Sequence, residues 1–291
     1  MNNTEFLKAE TRDDYLVSEE MKKVWKVQLD LLSEFIAVCK EHSLRYWVYG
    51  GTLLGAVRHK GYIPWDDDID VAMPREDYEI LQKHPEWFTK PAELHLPDNK
   101  EYYYESWLRV HNVNTTCHYP CDHIEGGVQK QGIYIDIIPL ENVKDIETER
   151  KKRRKIKLLN VMGHACFYNI NPNILLRFIS SANRILRIIT PERLYKKINR
   201  LATKNTDEKS EYFGENITAI YSLERTIFKK SCFEKTITVP FEYMEVDIPA
   251  DYDTVLKTMY GNYMAFPPKE KRGTWHSFVF IPDKPYKEYK G

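Results

Sequence analysis

Two aspartates placed two residues apart can bind a divalent cation. Asp68 and Asp70 lead into an apolar run that ends at Met73. On an extended strand, residues i and i+2 point to the same face, so both carboxylates are predicted to project together. Adjacent carboxylates repel each other unless a cation lies between them, and Mg²⁺ is usually held by one or two carboxylates plus substrate phosphates. The pair therefore predicts a Mg²⁺ site, with Mn²⁺ as the alternative ion.

Two further acids are candidates for the same site. Asp66 lies two residues before Asp68, so on a strand it would share the face of the pair and could be a ligand. Asp136 is the polar member of the alternating run Ile133–Ile138, which is typical of a buried strand. A carboxylate there is costly unless it is paired, bound to metal or open to a cleft. We expect Asp136 to be the third metal carboxylate, and a structural salt bridge is the alternative.

A pair of glycines supplies a site for phosphate. Gly50 and Gly51 follow the apolar run Tyr46–Tyr49. A Gly-Gly turn lets backbone N–H groups approach a phosphate, and a helix that begins at Thr52 would add a partial positive charge. Gly50, Gly51 and Thr52 are therefore expected to bind phosphate oxygens. The alternative is a hairpin turn followed by an acidic surface loop, which the apolar bulk of Trp65 beside the acids disfavours.

These residues need a sheet and helices to position them. Hydrophobic periodicity predicts helices at 18–42, 52–59 and 75–88, strands at 46–49, 68–73, 93–96, 103–112 and 133–138, and helices within 145–209. Strand, Gly-Gly turn, helix and Asp-x-Asp strand follow one another as in a nucleotidyltransferase core. We expect an α/β (α+β) fold with a mixed sheet flanked by helices. The predicted parts are a catalytic core at 1–145, a basic helical insertion at 146–209 and a C-terminal part at 210–291 that completes the active-site wall.

Composition limits the class of protein. The chain has 291 residues and zero formal net charge, and it contains no run of eighteen apolar residues. Its first residues lack the basic and apolar pattern of a signal peptide. Five irregularly spaced cysteines indicate a reducing cytoplasm and no disulfide framework. A cytoplasmic location is therefore expected.

The neutral total conceals a basic segment. Residues 151–209 contain fifteen lysines and arginines and three acids, which gives +12, and the remainder of the chain carries −12. Its apolar members are Ile174, Leu175, Leu176, Phe178, Ile185, Leu186, Ile188 and Ile189. We expect an amphipathic surface that touches the anionic inner leaflet of a membrane, and a helical layer with a solvated basic face is the alternative. Nucleic-acid binding is disfavoured because no aromatic array is interleaved with the cations.

Several motifs together resemble the LicD family, whose members are phosphocholine transferases that decorate teichoic acids and other surface glycans. The matching residues are Tyr49–Gly55, Arg58-His59, Pro64–Asp70, Asp136–Leu140, Tyr260–Met264, Pro267–Arg272 and His276. These landmarks cover about residues 20 to 280. The sixteen residues between Gly51 and Asp68 are more than the wider nucleotidyltransferase superfamily usually has, and LicD-like proteins share this insertion.

The resemblance implies Mg²⁺-dependent transfer of phosphocholine from CDP-choline to a sugar hydroxyl of a cell-surface glycan or teichoic acid precursor, with release of CMP. The acceptor could be lipid-linked. Asp68 and Asp70 would hold the ion that bridges the donor's diphosphate, and Asp136 would share it or accept the hydroxyl proton. The alternatives are transfer of ribitol phosphate or glycerol phosphate from a CDP donor, and NTP-dependent nucleotidyl transfer.

Basic residues on either side of the carboxylates are candidate nucleotide ligands. Arg58, His59 and Lys60 could steady the leaving nucleotide, and a solvated basic loop is an equal alternative. The resemblance places Lys271, Arg272 and His276 in the active-site wall, although their composition alone indicates a solvated loop.

Choline would need aromatic faces. Its quaternary ammonium cannot donate a conventional hydrogen bond, so cation–π attraction is the expected mode of recognition. We predict that two or three residues form this pocket, drawn from Tyr62, Trp65, Tyr102, Tyr103, Tyr104 and Trp107. Separately, Cys117, His118, Cys121 and His123 could bind Zn²⁺, but no second ligand pair at standard spacing accompanies them, which disfavours zinc.

Overall fold

The protein is described here from a computed structural model that covers residues 3–97, 105–118, 131–168, 174–186, 188–204, 206–273 and 279–289. The helices are α1 Asn3–Phe6, α2 Glu19–Glu41, α3 Gly50–His59, α4 Arg75–Lys83, α5 Ile146–Tyr168, α6 Ile174–Leu186, α7 Pro191–Ala202 and α8 Tyr252–Tyr260. The strands are β1 Glu10–Arg12, β2 Tyr15–Val17, β3 Trp47–Val48, β4 Asp70–Pro74, β5 Ala92–His95, β6 Leu108–Asn112, β7 Thr116–His118, β8 Tyr134–Val143, β9 Tyr212–Gly214, β10 Ile227–Lys229, β11 Thr236–Phe241, β12 Met244–Pro249 and β13 Val279–Ile281.

A seven-stranded mixed sheet forms the centre of the molecule. Its main path runs β10-β9-β8-β4-β3, and β6 joins it beside β8 and carries β5. Strand β8 is the hub, because it runs parallel to β4 on one side and antiparallel to β6 and then β9 on the other. The two-stranded ribbons β1-β2, β11-β12 and β13-β7 surround it. Parallel and antiparallel strands with flanking helices confirm the predicted α/β class.

The long helix α2 covers the sheet. The hydroxyl of Ser18 accepts a hydrogen bond from the backbone N–H of Met21 at 3.2 Å, and Glu19 and Glu20 follow in the first turn, where the helix dipole favours acids. Trp25 and Phe35, at helical spacing, are fully buried. The helix predicted at 18–42 is therefore confirmed.

The element boundaries near the site differ from the predicted ones. Helix α3 begins at Gly50, not at Thr52, and β4 begins at Asp70, so Asp68 is outside the strand. A backbone hydrogen bond from Asp66 N–H to the Ile63 carbonyl, 2.9 Å long, closes a turn just before the acids. Asp68 and Asp70 consequently meet through a turn that leads into a strand, and not through alternation along one strand.

Proline placement explains two other boundaries. Helix α4 ends at Lys83 because His84 precedes Pro85, and a residue before proline is disfavoured in the α region; a 3-10 turn at Pro85–Trp87 follows. Helix α7 begins at Pro191, and the hydroxyl of Thr190 caps it by accepting from the N–H of Arg193 at 3.2 Å. Asn171-Pro172, where the sequence also predicts a break in the helical segment, lies outside the described residues.

The helical segment is tied to the sheet by buried polar contacts. Arg153 of α5 donates to the backbone carbonyls of Glu215 and Tyr221, each at 2.5 Å, and Asn160 donates to the Ile217 carbonyl at 2.9 Å. Within the described ranges, no helix is both long and apolar enough to cross a membrane. The three-part division of the chain stays a prediction.

Candidate active site

The turn between β3 and α3 packs directly against the carboxylates. Gly50 has φ +57°, in the left-handed region that favours glycine, and a Cβ built there would lie 2.8 Å from Asp70 Oδ2. A Cβ on Gly51 would lie 2.5 Å from Asp66 Oδ2. The two glycines therefore let the helix N-terminus approach two acids closely, and both line the same cleft as those acids.

Thr52 positions the strand and does not face the cleft. Its side chain is 4% exposed, and its Oγ1 accepts a hydrogen bond from the backbone N–H of Asp70 at 2.9 Å. The backbone N–H of Tyr49 in turn donates to the Asp70 carbonyl at 2.9 Å. The phosphate contact of Thr52 stays a prediction; in the structure its hydroxyl oxygen accepts from the first residue of β4.

Four aspartates line one cleft of about 750 Å³: Asp66, Asp68, Asp70 and Asp136. Asp70 and Asp136 lie opposite each other on the parallel strands β4 and β8. Burial raises the pKa of Asp70 well above its usual value, and the negative charges of Asp68, Asp136 and Asp66 raise it further. The site thus concentrates negative charge where water cannot fully screen it.

The acidic turn also brings ligand atoms together. One oxygen each of Asp66, Asp67 and Asp68 lies within 4.8 Å of the others. Asp67 is buried, whereas Asp66 and Asp68 are partly exposed on the cleft side. Hard cations take oxygen ligands, so these atoms together with Asp70 form a donor set suited to Mg²⁺.

Asp136 has an ion-pair partner that the sequence analysis missed. The guanidinium of Arg109 donates to both carboxylate oxygens of Asp136, and the Trp107 indole N–H donates to Oδ1 at 2.7 Å. Arg109 is buried and lies over the ring of Tyr134, 3.7 Å from its centroid. The ion pair that was the alternative interpretation of Asp136 is therefore present, while Asp136 also lines the cleft.

A signal for Arg109 was present in the sequence. It stands between Leu108 and Val110 in an apolar strand, and a buried arginine needs a carboxylate partner. In the antiparallel register of β6 and β8, Arg109 faces Asp136. Arg109 and Asp136 are each flanked by apolar residues in their own strands, so they could have been matched to each other on this ground.

The opposite wall of the cleft comes from the segment after α8. Arg58 holds it, donating to the backbone carbonyls of Tyr263 at 2.7 Å and Ala265 at 3.3 Å. The Arg58 guanidinium also lies 4.9 Å from the ring centroid of Phe266. Arg58 lines the cleft, and it also fixes the backbone of the wall.

The other predicted basic residues do not line the cleft. His59 pairs with Asp13 at 2.9 Å and stacks on Phe266, and burial lowers its pKa. Lys60 is exposed and ends α3 in the left-handed region with φ +56°. Their contacts with a nucleotide stay predictions: His59 is engaged with Asp13 and Phe266, and Lys60 is solvated.

The C-terminal basic residues brace the wall from behind. The Arg272 guanidinium lies 5.1 Å from the ring centroid of Trp65 and donates to the Pro267 and Asp13 carbonyls at 3.0 and 2.9 Å. Lys269 pairs with Asp14 at 2.9 Å. Lys271 is exposed, as expected for a solvated loop, so neither Lys271 nor Arg272 lines the cleft. His276 lies outside the described residues.

The aromatic candidates divide into two groups. Trp65 and Trp107 line the cleft, whereas Tyr62 stacks on Trp25 at 4.3 Å in the core, which corrects its proposed place in the pocket. Tyr102, Tyr103 and Tyr104 lie outside the described residues. Other aromatic side chains of the cleft, missed because they are dispersed along the chain, are Tyr49, Tyr134, Tyr221, Tyr260, Tyr263 and Phe266.

Only two of the four suggested zinc ligands lie within the described residues. Cys117 and His118 are buried neighbours in β7, where successive side chains point to opposite faces. Cys121 and His123 lie outside the described residues. Among the described residues, the group of side chains that could hold a metal is the acidic turn, so nothing here supports a zinc site.

Comparison with known proteins agrees with this geometry. Residues 43–157, which contain the turn, the acids and β8, match the nucleotidyltransferase domain of LicD/FKTN/FKRP. The lipopolysaccharide cholinephosphotransferase LicD of Haemophilus influenzae is 27% identical over 254 residues, covering 86% of this chain and 93% of the relative. Human ribitol 5-phosphate transferase FKRP is 48% identical over 42 residues, covering 14% of this chain and 8% of the relative. A Rickettsia prowazekii protein described as uncharacterized is 35% identical over 74 residues, covering 23% of this chain and 28% of the relative.

The mixed sheet, the glycine turn and the clustered carboxylates are the features of a phosphotransferase built on a nucleotidyltransferase domain. The match over residues 43–157, together with the similarity to LicD over most of the chain, supports a LicD-family phosphotransferase.

Proposed function

We propose that the protein transfers phosphocholine from CDP-choline to a sugar hydroxyl of a cell-surface glycan or teichoic acid precursor, releasing CMP, with Mg²⁺ as its cofactor. The observation that carries the proposal is the composition of one cleft. Its floor holds Asp66, Asp68, Asp70 and Asp136, and its walls carry many aromatic rings. CDP-choline contains an anionic diphosphate and a quaternary ammonium: a cation held by the carboxylates would bind the first, and aromatic rings would bind the second.

The carboxylates fit a hard divalent cation. The raised pKa of Asp70, caused by burial and by neighbouring acids, marks a site where added positive charge would be strongly favourable. Asp68 and Asp70 would hold the ion, with Asp66 as a further ligand. When bound, Mg²⁺ would neutralise charge on the donor's diphosphate.

The chain's own residues would position the reactants. The acceptor oxygen forms a bond to the phosphorus that carries choline, the bond from that phosphorus to the CMP oxygen breaks, and the hydroxyl proton passes to a base. Asp136 is the candidate base, and Arg109 and Trp107 hold its carboxylate in place. Protein groups do little covalent work in phosphoryl transfer, so positioning and charge account for most of the catalysis.

Choline recognition would use the aromatic walls. Each well-placed ring attracts a quaternary ammonium by about 0.5–2 kcal/mol. Trp65 and Trp107 lie on the cleft beside the acids, and Tyr221 and Tyr260 extend the aromatic lining.

Ribitol phosphate is the second candidate, because FKRP is a ribitol 5-phosphate transferase and the cleft also offers hydroxyl and amide groups. Tyr221, Tyr260 and Asn262 could donate hydrogen bonds to a polyol. Glycerol phosphate would use the same groups.

A donor screen tests the proposal. The purified protein is incubated with Mg²⁺ and a glycan acceptor, in parallel reactions with CDP-choline, CDP-ribitol, CDP-glycerol and ATP, and released CMP and pyrophosphate are measured. We expect CMP from CDP-choline, and no release by Asp70→Asn. CMP from CDP-ribitol or CDP-glycerol alone would change the alcohol, and pyrophosphate from ATP would replace the proposal with nucleotidyl transfer.

A further inference from the structure

Exposed apolar side chains are concentrated in the helical segment 146–204, called here the basic helical segment. The large apolar side chains of this segment that are at least two-fifths exposed are those of Ile146, Leu158, Val161, Ile174, Phe178, Leu186 and Ile188. Ile174 and Phe178 are 73% and 69% exposed. They are four residues apart on α6, so they lie on one face of that helix. A cluster of such side chains in contact with water marks an interaction surface.

The structure holds this surface in the exposed state. Asn183 of α6 brackets the backbone of Ile189: its Nδ2 donates to the Ile189 carbonyl at 2.8 Å, and its Oδ1 accepts from the Ile189 N–H at 2.7 Å. Arg193 also donates to the Ile188 carbonyl at 3.1 Å. The side chain of Ile188, 61% exposed, is therefore fixed at the surface by its own backbone contacts.

Helix α5 combines cations with aliphatic side chains. Arg154, Lys155 and Lys157 are exposed, and Leu158 and Val161 follow as exposed residues on the same side. Residues between them, such as Ile156 and Leu159, are buried against the core. A helix with cations and aliphatic groups on its outer face is typical of proteins that lie on a membrane surface.

This surface adjoins the cleft. His164 lies one turn after Val161 on α5 and lines the cleft. Ile220, which is 68% exposed, also lines the cleft, and its loop is bound to α5 through the hydrogen bonds of Asn160 to the Ile217 and Thr218 carbonyls. The apolar surface therefore continues to the mouth of the active site.

We propose that the basic helical segment binds the surface of an anionic phospholipid bilayer, with its exposed aliphatic side chains at the level of the headgroups and its exposed lysines and arginines facing lipid phosphates. The charge of +12 over residues 151–209 matches an anionic leaflet. The same charge would repel a second copy of this surface. Nucleic acid is disfavoured, because the exposed apolar residues of the segment are mostly aliphatic and offer few rings for base stacking.

Binding in this orientation would place the cleft mouth at the bilayer surface, where a membrane-anchored acceptor could enter. The inference concerns lipid binding alone and does not depend on which alcohol phosphate is transferred. Its failure and the failure of the proposed function are therefore separate results.

The test is co-sedimentation of the full chain with vesicles of phosphatidylcholine alone, and with vesicles of phosphatidylcholine and phosphatidylglycerol in equal parts. Two double variants remove the two kinds of contact: Ile174→Ser/Phe178→Ser and Lys155→Glu/Lys157→Glu. Matched controls at exposed positions elsewhere are Ile237→Ser and Lys229→Glu/Lys235→Glu. Circular dichroism and thermal unfolding establish that each variant is folded.

We expect the wild type and both controls to bind anionic vesicles and to release them at high salt, and each test variant to bind about tenfold more weakly or less. Equal binding to neutral and anionic vesicles, or no binding to either, overturns the proposal. So does wild-type binding by folded test variants. A parallel titration with a single-stranded oligonucleotide tests nucleic acid as the alternative partner. Binding to the oligonucleotide without binding to vesicles would also overturn the proposal.

Discussion

The side chain of Thr52 accepts a hydrogen bond from the backbone N–H of Asp70 at 2.9 Å. The contact joins the first turn of α3 to the first residue of β4, which are eighteen positions apart in sequence. Because Gly50 and Gly51 precede Thr52 directly, the glycine turn and the carboxylate end of the strand are held as one unit.

Thr52→Val should test this link. The valine keeps the shape but leaves a buried N–H without a partner, which costs about 1–3 kcal/mol. We expect a lower free energy of unfolding in urea and a lower kcat, because Asp70 loses its anchor. Thr52→Ser is the control, since it retains the hydroxyl. A valine variant as stable and as active as the wild type would contradict this role.

Replacing the carboxylates should stop turnover while the fold remains intact. A neutral amide is a poor Mg²⁺ ligand, so Asp70→Asn and Asp68→Asn are expected to lower kcat about a thousandfold, the equivalent of several kcal/mol of lost charge stabilisation. EDTA should abolish the activity of the wild type, and Mg²⁺ or Mn²⁺ should restore it. An enzyme indifferent to EDTA would remove the metal from the mechanism.

The stability of the metal-free protein should depend on pH through Asp70. Its pKa is raised in the folded state, so the native protein keeps a proton there that the unfolded chain has released. Stability is then lost as pH rises from the ordinary aspartate pKa of 3.8 through the raised pKa of the folded state. In EDTA, Asp70→Asn should become the more stable protein as pH rises, by on the order of 1 kcal/mol per pKa unit.

Mg²⁺ provides the control for that measurement. It should raise the unfolding temperature of the wild type and leave that of Asp70→Asn nearly unchanged, with the wild-type effect growing as the carboxylates ionise. If Asp70→Asn gains nothing over the wild type at any pH in EDTA, the proposed repulsion between these acids is absent.

Gly51→Ala should lower activity through a local clash. The added Cβ would lie 2.5 Å from Asp66 Oδ2, so the carboxylate or the turn must move. Gly273→Ala is the matched control, because nothing lies within 4 Å of its added Cβ. We expect at least a tenfold fall in kcat/KM, about 1.4 kcal/mol, for the first variant only. Similar kinetics for both variants would show that the turn can adapt without cost.

The two tryptophans of the cleft should separate binding from catalysis. Trp65→Leu and Trp107→Leu are expected to raise the KM for CDP-choline about threefold to thirtyfold, in line with the loss of a cation–π contact. Trp107→Phe keeps a ring face but loses the N–H bond to Asp136, so it should lower kcat more than it raises KM. Unchanged KM in both leucine variants would place the choline site elsewhere or exclude choline.

Local patterns could predict the parts of the site that lie close together in sequence. The Gly50-Gly51 turn, the acids from Asp66 to Asp70 and the alternating strand around Asp136 all carry short-range signals, and the structure brings them to one cleft. The residues that support them depend on pairing between distant strands. Arg109 meets Asp136 only through the register of β6 and β8, which periodicity does not determine.

The basic residues show what the sequence could not predict, namely the direction in which each side chain points. A lysine or arginine near a phosphate motif has the same sequence signature whether it faces the ligand or braces the wall behind it. Arg58 turns towards backbone carbonyls of the wall and Arg272 stacks on Trp65, and neither arrangement follows from charge. Helical regions were easier to predict from the sequence, since the amphipathic pattern and the capping residue of α2 together indicate where that helix begins and ends.

The turn at Asp13 and Asp14 contacts the other end of the chain. Asp14 pairs with Lys269, 255 positions away, and the Asp13 carbonyl accepts from Arg272, 259 positions away. During synthesis on the ribosome, Asp13 and Asp14 can therefore form these contacts only after residue 272 has emerged. The glycine turn and the acids at 66–70 are made about two hundred residues earlier. A nascent chain would thus contain its acidic turn well before the opposite wall of the cleft can close.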